Sequence, residues 1–200
     1  MQARATHAIL LQTALKAMSL AGLSGVTLGR LAESVGLSKS GLFAHFSSKR
    51  QLELELLDEA ARLAREQIVE PAFKEPDGLP RLRALLALWF GWPGRAGLPG
   101  GCPMAAALFE LDDLDGPVRD RVAALEREWR GLLGSLVHRA VALGELDAGA
   151  DVEQLVWELY GIYLAHHASA RFLRDPRSDE RARAAVDALL RRAGAAQAPT

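Results

Sequence analysis

The stretch TLGRLAESVGLSKSGLFAHFSSK, Thr27 to Lys49, decides the fold. Thr27 is a good helix N-cap, because its hydroxyl can accept one of the backbone N–H groups that a first turn leaves free. Leu28, Leu31, Ala32 and Val35 recur at spacings of three and four, the apolar stripe of a short helix. Gly36 is the expected left-handed stop, Leu37 plugs the turn, and Ser38 caps a second helix. That helix puts Leu42 and Phe46 on one face at i and i+4, while Lys39, Ser40, Phe43 and His45 point elsewhere. Ser48-x-x-Gln51 is a capping box that opens a third, longer helix. The whole reads as a helix-turn-helix whose second helix is the right size for a DNA major groove.

Charge follows the same division. The chain of 200 residues has a formal net charge of −1. Residues 1–50 hold six basic side chains against the single acid Glu33, a net of +5. The remainder holds eighteen basic and twenty-four acidic side chains, a net of −6. The first part is thus an electrostatic match for phosphate and the second is not. A single cysteine, Cys102, excludes an internal disulfide and fits a reducing cytoplasm. The longest uncharged run, Ala96–Phe109, is shorter than the ~20 apolar residues of a membrane span and contains two prolines. Neither a membrane span nor a secretory signal is expected.

Outward from the motif, a first helix is expected over residues 3–20, burying Ile9, Leu10, Thr13, Ala14 and Ala17. A fourth is expected from the capping box to about Glu70, before Pro71. Further helices are read over 79–92, over 104–114, and from Pro117 to Gly144 with a seam of Val118, Val122, Leu125, Trp129, Leu132, Leu136, Ala140 and Leu143. Asp151 caps the next helix and Ser178 opens the last, whose apolar face carries Leu189. The glycine- and proline-rich stretch 93–103 reads as a loop. No strand alternation is long enough for a sheet, so the fold class is all-α. Its N-terminal three-helix head runs into a larger helical body without a flexible linker.

Residues from about Ile9 to Asp58 resemble the N-terminal domain of TetR-type (TetR/AcrR-like) transcriptional regulators. The resemblance is carried by a first helix, Thr27, the Leu31-Ala32 pair, Gly36, the run Ser38-Lys39-Ser40-Gly41-Leu42-Phe43, His45-Phe46 and Ser48-Lys49. It implies a DNA-binding domain over residues 1–50 and a ligand-binding and dimerisation domain over residues 51–200. It further implies a homodimer through the last two helices, a double-stranded operator as partner, and a small, largely apolar effector. Periodicity alone supports only a helix-turn-helix followed by a helical domain.

DNA contacts are expected at Thr27, Arg30, Ser38, Lys39, Ser40, Phe43, His45 and Lys49. Lys39 and Ser40 start the recognition helix, where side chains reach base edges or phosphates. Thr27 and Lys49 lie at helix N-termini that favour an anion and resemble the family's phosphate clamps. Phe43 stands where the family usually has a tyrosine, so a hydroxyl contact is absent; it packs on sugar, on a thymine methyl group or on the head itself. Arg30 replaces a position that is often acidic. His45 matches a family position near the DNA backbone.

In the body, Trp129, Trp157, Tyr163, His166 and Phe109 are candidate effector-lining residues, set against core packing as the default for bulky side chains. His166 and His167 point about 100° apart on a helix and cannot share one metal. Glu110, Asp112 and Asp113 read as a solvated helix end or a recognition point for a cation. Cys102 is a buried loop cysteine or, in the competing reading, a redox sensor. No nucleophile–base group, metal-ligand spacing or phosphate-cradling glycine loop favours an enzyme or a ligand carrier without DNA function. No cofactor is expected.

Overall fold

The computed structural model describes residues 2–196, with the side chains of Gln2, Ala3, Arg4 and Lys39 outside that description. Among the described residues there is helix and no strand. In chain order the helices are α1 (Gln2–Ala21), α2 (Leu28–Ser34), α3 (Lys39–Phe43) and α4 (Lys49–Ala64). The last continues through a π-helical turn, Arg65–Val69, into α5 (Glu70–Ala72). There follow α6 (Leu79–Trp89), α7 (Trp92–Arg95), α8 (Pro103–Glu110), α9 (Pro117–Ala142), α10 (Val152–Arg171) and α11 (Ser178–Arg192). Two compact units divide the chain: residues up to Ala64 with Pro93–Leu125, and Arg65–Trp92 with residues from Glu126 onward.

In the first unit the helix ends form as their sequence dictates. Thr27 Oγ1 accepts the Arg30 N–H at 3.3 Å, and Ser38 Oγ accepts the Gly41 N–H at 3.0 Å. Gly36 adopts φ +69°, which lets the Leu37 N–H reach the Ala32 carbonyl at 2.9 Å and close the α2 C-terminus. Leu42 and Phe46 are wholly buried, together with Leu52, Leu56 and Leu57 of α4. Each such side chain contributes about 1.5–3 kcal/mol of burial. On α1 the buried line is Leu10, Ala14, Leu15 and Met18. The expected burial of Ile9 and Ala17 is corrected, since Ile9 is 58% exposed and Ala17 also faces solvent. A run of consecutive apolar residues left the helix phase undetermined by about one position.

The same unit takes in the stretch expected to be a loop. α8 packs against α1 and α4. Ahead of it, Gly101 N–H donates to the Ser19 carbonyl at 2.9 Å and Gly100 N–H donates to Ser19 Oγ at 3.1 Å. Gly100 lies so close to the backbone at Ser19 that any Cβ would overlap the carbonyl oxygen. At the far end of α8, the Glu110 carboxylate accepts the Leu23 N–H at 2.7 Å and the Ser24 N–H at 2.5 Å. Gly22, at φ +71°, leaves room for that carboxylate, which a Cβ there would overlap. Arg121 of α9 pairs with Asp58 of α4 at 2.7 Å. Glu110 is therefore neither a solvated helix end nor a free acidic point: it holds the α1–α2 turn.

In the second unit α10 and α11 pack along each other. Leu82, Leu85 and Leu86 of α6, Leu133, Val137 and Ala140 of α9, Leu159 of α10 and Leu190 of α11 are almost completely buried. Of the expected α9 seam, Val122, Leu125, Leu136 and Ala140 are buried, but Leu133 and Val137 beside it are fully covered as well, and Leu143, just past the helix end, is 45% exposed. A straight helix drifts about 20° per heptad, and over 26 residues that drift moves the covered face by a position. Asp151 caps α10 by accepting the Gln154 N–H at 3.0 Å. Ser178 is buried as the first residue of α11, and the cap position falls on Arg177 without a side-chain bond. Leu189 is 3% exposed and belongs to this core. The outward face of α10 and the two residues that follow it are instead apolar: Trp157 is 65%, Phe172 86% and Leu173 67% exposed, and Gly161, Ala165 and Ala168 between them are also exposed.

Candidate functional site

Two sets of side chains carry chemistry. On the first unit, Thr27, Arg30, Ser38, Ser40, Lys49 and Phe43 are all exposed, Phe43 to 52%. They lie on α2, α3 and the first turn of α4, together with the helix N-termini. The Thr27 and Ser38 hydroxyl oxygens accept backbone N–H groups, so each hydroxyl still has its own proton to donate. Ser38 Oγ and Ser40 Oγ lie 3.0 Å apart, so one of the two hydroxyls orients the other. The Lys39 side chain lies outside the described residues. Lys49 Nζ lies 3.3 Å from Glu53 Oε1, an i,i+4 pair between an exposed lysine and a half-buried glutamate that partly occupies its charge.

His45 is half-buried, with its ring centroid 5.9 Å from that of His7, which also lies 4.7 Å from the Phe46 ring. Behind it runs a chain of polar contacts that sequence reading did not find. His7 Nε2 meets Glu55 Oε2 at 2.6 Å, and Gln51 Nε2 donates to Glu55 Oε1 at 2.8 Å. Gln51 Oε1 in turn accepts both the backbone N–H and the hydroxyl of Ser47. The capping box is thus closed on Ser47 as well as on Ser48, whose Oγ accepts the Gln51 N–H at 3.1 Å. The Gln51–Glu55 spacing of four was a visible signal; the pairing with His7, 48 residues away, was not. An open groove of about 610 Å³ adjoins this network, lined among others by His7, Gln12, His45, Glu59 and Arg62.

On the second unit an aromatic cluster joins α6, α9 and α10. Trp89 stacks on Tyr163 at 4.1 Å between centroids and meets Trp129 edge-on at 5.0 Å. Tyr160 lies 5.8 Å from Trp89, with the Arg130 guanidinium 3.9 Å above its ring. Trp92 Nε1 donates to the Tyr163 hydroxyl at 3.3 Å. His166 packs edge-on against Phe90 at 4.8 Å, and its Nε2 meets Asp179 at 2.7 Å, which accounts for a buried imidazole without a metal. Burial holds the neighbouring His167 below the usual imidazole range, and the Arg171 and His166 charges add to this.

The structure therefore brings Trp129, Tyr163 and His166 to one cluster and leaves two candidates out. Trp157 points outward from α10, and Phe109 is 60% exposed on α8 in the other unit. Both meet the helical spacing of a lining residue, but spacing alone does not say which face of a multiply packed helix is inward. Cys102 is buried as the N-cap of α8, where Sγ accepts the Ala105 N–H at 3.5 Å.

Two residues of the cluster carry unmet polar atoms. Glu126 Oε2 and Trp129 Nε1 are buried without a hydrogen-bond partner among the described groups. Burial pushes the Glu126 carboxyl above the usual carboxylate range, opposed by the Tyr160 hydroxyl and the Arg130 charge.

Residues 10–56 match the family described as bacterial regulatory proteins, tetR family. Residues 78–186 match the tetracyclin repressor-like C-terminal domain. The chain is 32% identical over 129 residues to the nucleoid occlusion factor SlmA of Enterobacter sp. (strain 638), a stretch covering 62% of this chain and 64% of that one. It thus spans somewhat under two-thirds of that relative's length. A TetR transcriptional regulator from Chloroflexus aurantiacus J-10-FL superposes with a TM-score of 0.84 at 27% identity, over 92% of this chain and 93% of that one. AibR in complex with isovaleryl coenzyme A and operator DNA has the same fold, with a TM-score of 0.73 at 22% identity over 92% and 97% of the two chains.

Proposed function

The chain belongs to the TetR family of bacterial regulatory proteins, and from that premise we propose that it is a cytoplasmic homodimeric repressor, released from an inverted-repeat operator by a small effector. Residues 1–50 bind DNA, and residues 51–200 bind the effector and form the dimer. The observation that carries this reading is the exposed set Thr27, Ser38, Ser40 and Phe43 around the recognition helix, in the first quarter of the chain, where the net charge is +5. Thr27 and Lys49 hold phosphates, Ser40 and Lys39 reach base edges, and Phe43 packs on sugar or a thymine methyl group. Arg30 and His45 flank the same backbone.

The dimer forms through the outward faces of α10 and α11. Exposed Trp157, Phe172 and Leu173 would otherwise leave an apolar stripe in water, which a two-fold contact removes. The effector occupies the Trp89–Trp129–Tyr163 cluster. AibR, captured with both an acyl-coenzyme A and operator DNA, supports joint ligand and DNA binding on this fold. An effector that prefers one state of the dimer shifts the operator equilibrium by that difference in affinity alone.

Selection of genomic fragments by the purified protein, followed by footprinting, tests the proposal. The expected result is an inverted repeat with half-site centres about 34–36 Å apart or a multiple of that. Absence of any enriched fragment at low salt overturns it. The SlmA relative favours a second reading, a nucleoid occlusion factor, for which the same selection would return dispersed chromosomal sites in place of a few operators.

A further inference from the structure

Buried polar atoms without partners are rare in folded proteins, because each forgoes the hydrogen bond that water offered it. Among the described residues two such atoms lie one helical turn apart on α9, Glu126 Oε2 and Trp129 Nε1. Residues at i and i+3 share a helix face, so one bound group can meet both. The two atoms have opposite needs. The indole N–H only donates, and an ionised carboxylate oxygen only accepts. A single hydroxyl, or the carbonyl and N–H of one amide, satisfies the pair.

The charges around the pair narrow the class further. Glu126 is already opposed by Arg130, whose Nε lies 4.0 Å from Oε2, and by the Tyr160 hydroxyl. The rings packed around Trp129 and Tyr160 are aromatic: Trp89 meets both, and Tyr163 stacks on Trp89. A carboxylate ligand would be repelled by Glu126. An ammonium would satisfy Glu126 while leaving the indole N–H unmet and facing Arg130.

We propose that the effector is a neutral, mainly apolar molecule carrying one alcohol or amide group, which donates to Glu126 and accepts from Trp129. The proposal rests on the effector reading of the aromatic cluster given above. It names the two residues that decide which ligands are admitted.

The test uses the full chain and five probes that share one skeleton: 2-phenylethanol, phenylacetamide, phenylacetate, 2-phenylethylamine and ethylbenzene. Binding is read from the indole N–H resonances in nitrogen-15 spectra, with the Trp129 signal assigned through its loss in Trp129→Phe. The alcohol and the amide should move the Trp129 signal and bind about tenfold or more tighter than ethylbenzene, phenylacetate and the amine. Glu126→Gln should reduce that preference, and Glu126→Leu with Trp129→Phe should erase it. Where the double variant fails to fold, the wild-type shift pattern and Glu126→Gln decide the matter.

Equal binding of all five probes, preference for the amine, or no probe moving the Trp129 signal at millimolar concentration overturns the proposal. So does a slowly exchanging bound water on that N–H that no probe displaces. Release of a selected DNA fragment is measured in parallel. An alcohol that binds at Trp129 without releasing DNA leaves this site standing and removes the effector reading. Release by a ligand that bypasses Trp129 does the reverse.

Discussion

Replacing Glu110 should loosen the α1–α2 turn by an amount that the geometry sets. Its carboxylate accepts two backbone N–H groups, from Leu23 at 2.7 Å and Ser24 at 2.5 Å. Hydrogen bonds to a charged group contribute about 1.5–3 kcal/mol each, and the solvent-exposed one at Ser24 belongs at or below the lower end. Glu110→Ala should therefore cost about 2–4 kcal/mol, a large share of a typical domain's stability. Gly22→Ala attacks the same contact from the other side. At φ +71° an alanine costs about 1–2 kcal/mol in backbone strain, and its Cβ also displaces the carboxylate. Once Glu110 is gone, only the backbone part remains. The two changes must then be strongly non-additive, with a coupling of about 2 kcal/mol or more. Urea unfolding of the two single variants and the double variant, at one fixed protein concentration, measures it. Additivity within about 0.5 kcal/mol would refute the claim that Glu110 and Gly22 form one device.

Four other outcomes are expected. Lys49→Ala should weaken operator binding almost uniformly across sequences and lower the salt slope by about one, as seen in titrations at several salt concentrations; Glu53→Gln should do the opposite by releasing Lys49 from its pair. Ser40→Ala should alter the selected base profile more than the overall affinity, and an unchanged profile would show that Ser40 reads no base. Trp157→Glu should give monomers in sedimentation with operator affinity reduced about tenfold or more, whereas Leu189→Glu should unfold the second unit, because Leu189 is interior. Glu126→Gln should stabilise the protein at pH 7. The folded-state carboxyl titrates above 4.5, so the native form binds more protons than the unfolded one as pH rises past that value, and the wild type loses stability there. The advantage of the variant should vanish below about pH 4.5 in unfolding experiments across pH.

Local grammar explains why the head was legible. Thr27, Ser38 and Gly36 each act on atoms within four residues, and such short-range capping depends little on the rest of the fold. Phase was legible wherever polar residues interrupted the apolar ones, as at Leu42 and Phe46. It failed at Ile9-Leu10-Leu11, where three apolar residues in a row suit more than one rotation of α1. Trp157 was misread as a lining residue for a related reason. In a helix packed on several sides the apolar arc exceeds the single stripe that periodicity detects, so an interior face and an exposed one look alike. Glu110 and His7 were beyond reach, since their partners lie 87 and 48 residues away and no local pattern joins them. The orphan atoms of Glu126 and Trp129 likewise emerge only when every neighbouring group has been placed.

Gly100 has a practical corollary for anyone building variant libraries. Flexible-looking connections rich in glycine and proline are the customary places to graft tags, insert epitopes or randomise codons. Here the strand of chain ahead of α8 abuts the main chain of α1 at Ser19, and a rigid carbonyl cannot swing aside as a side-chain tip would. In a saturation screen, position 100 should score as intolerantly as the interior leucines, while Gly94, with open space around it and an ordinary φ, should accept side chains far more readily than the glycine six positions on.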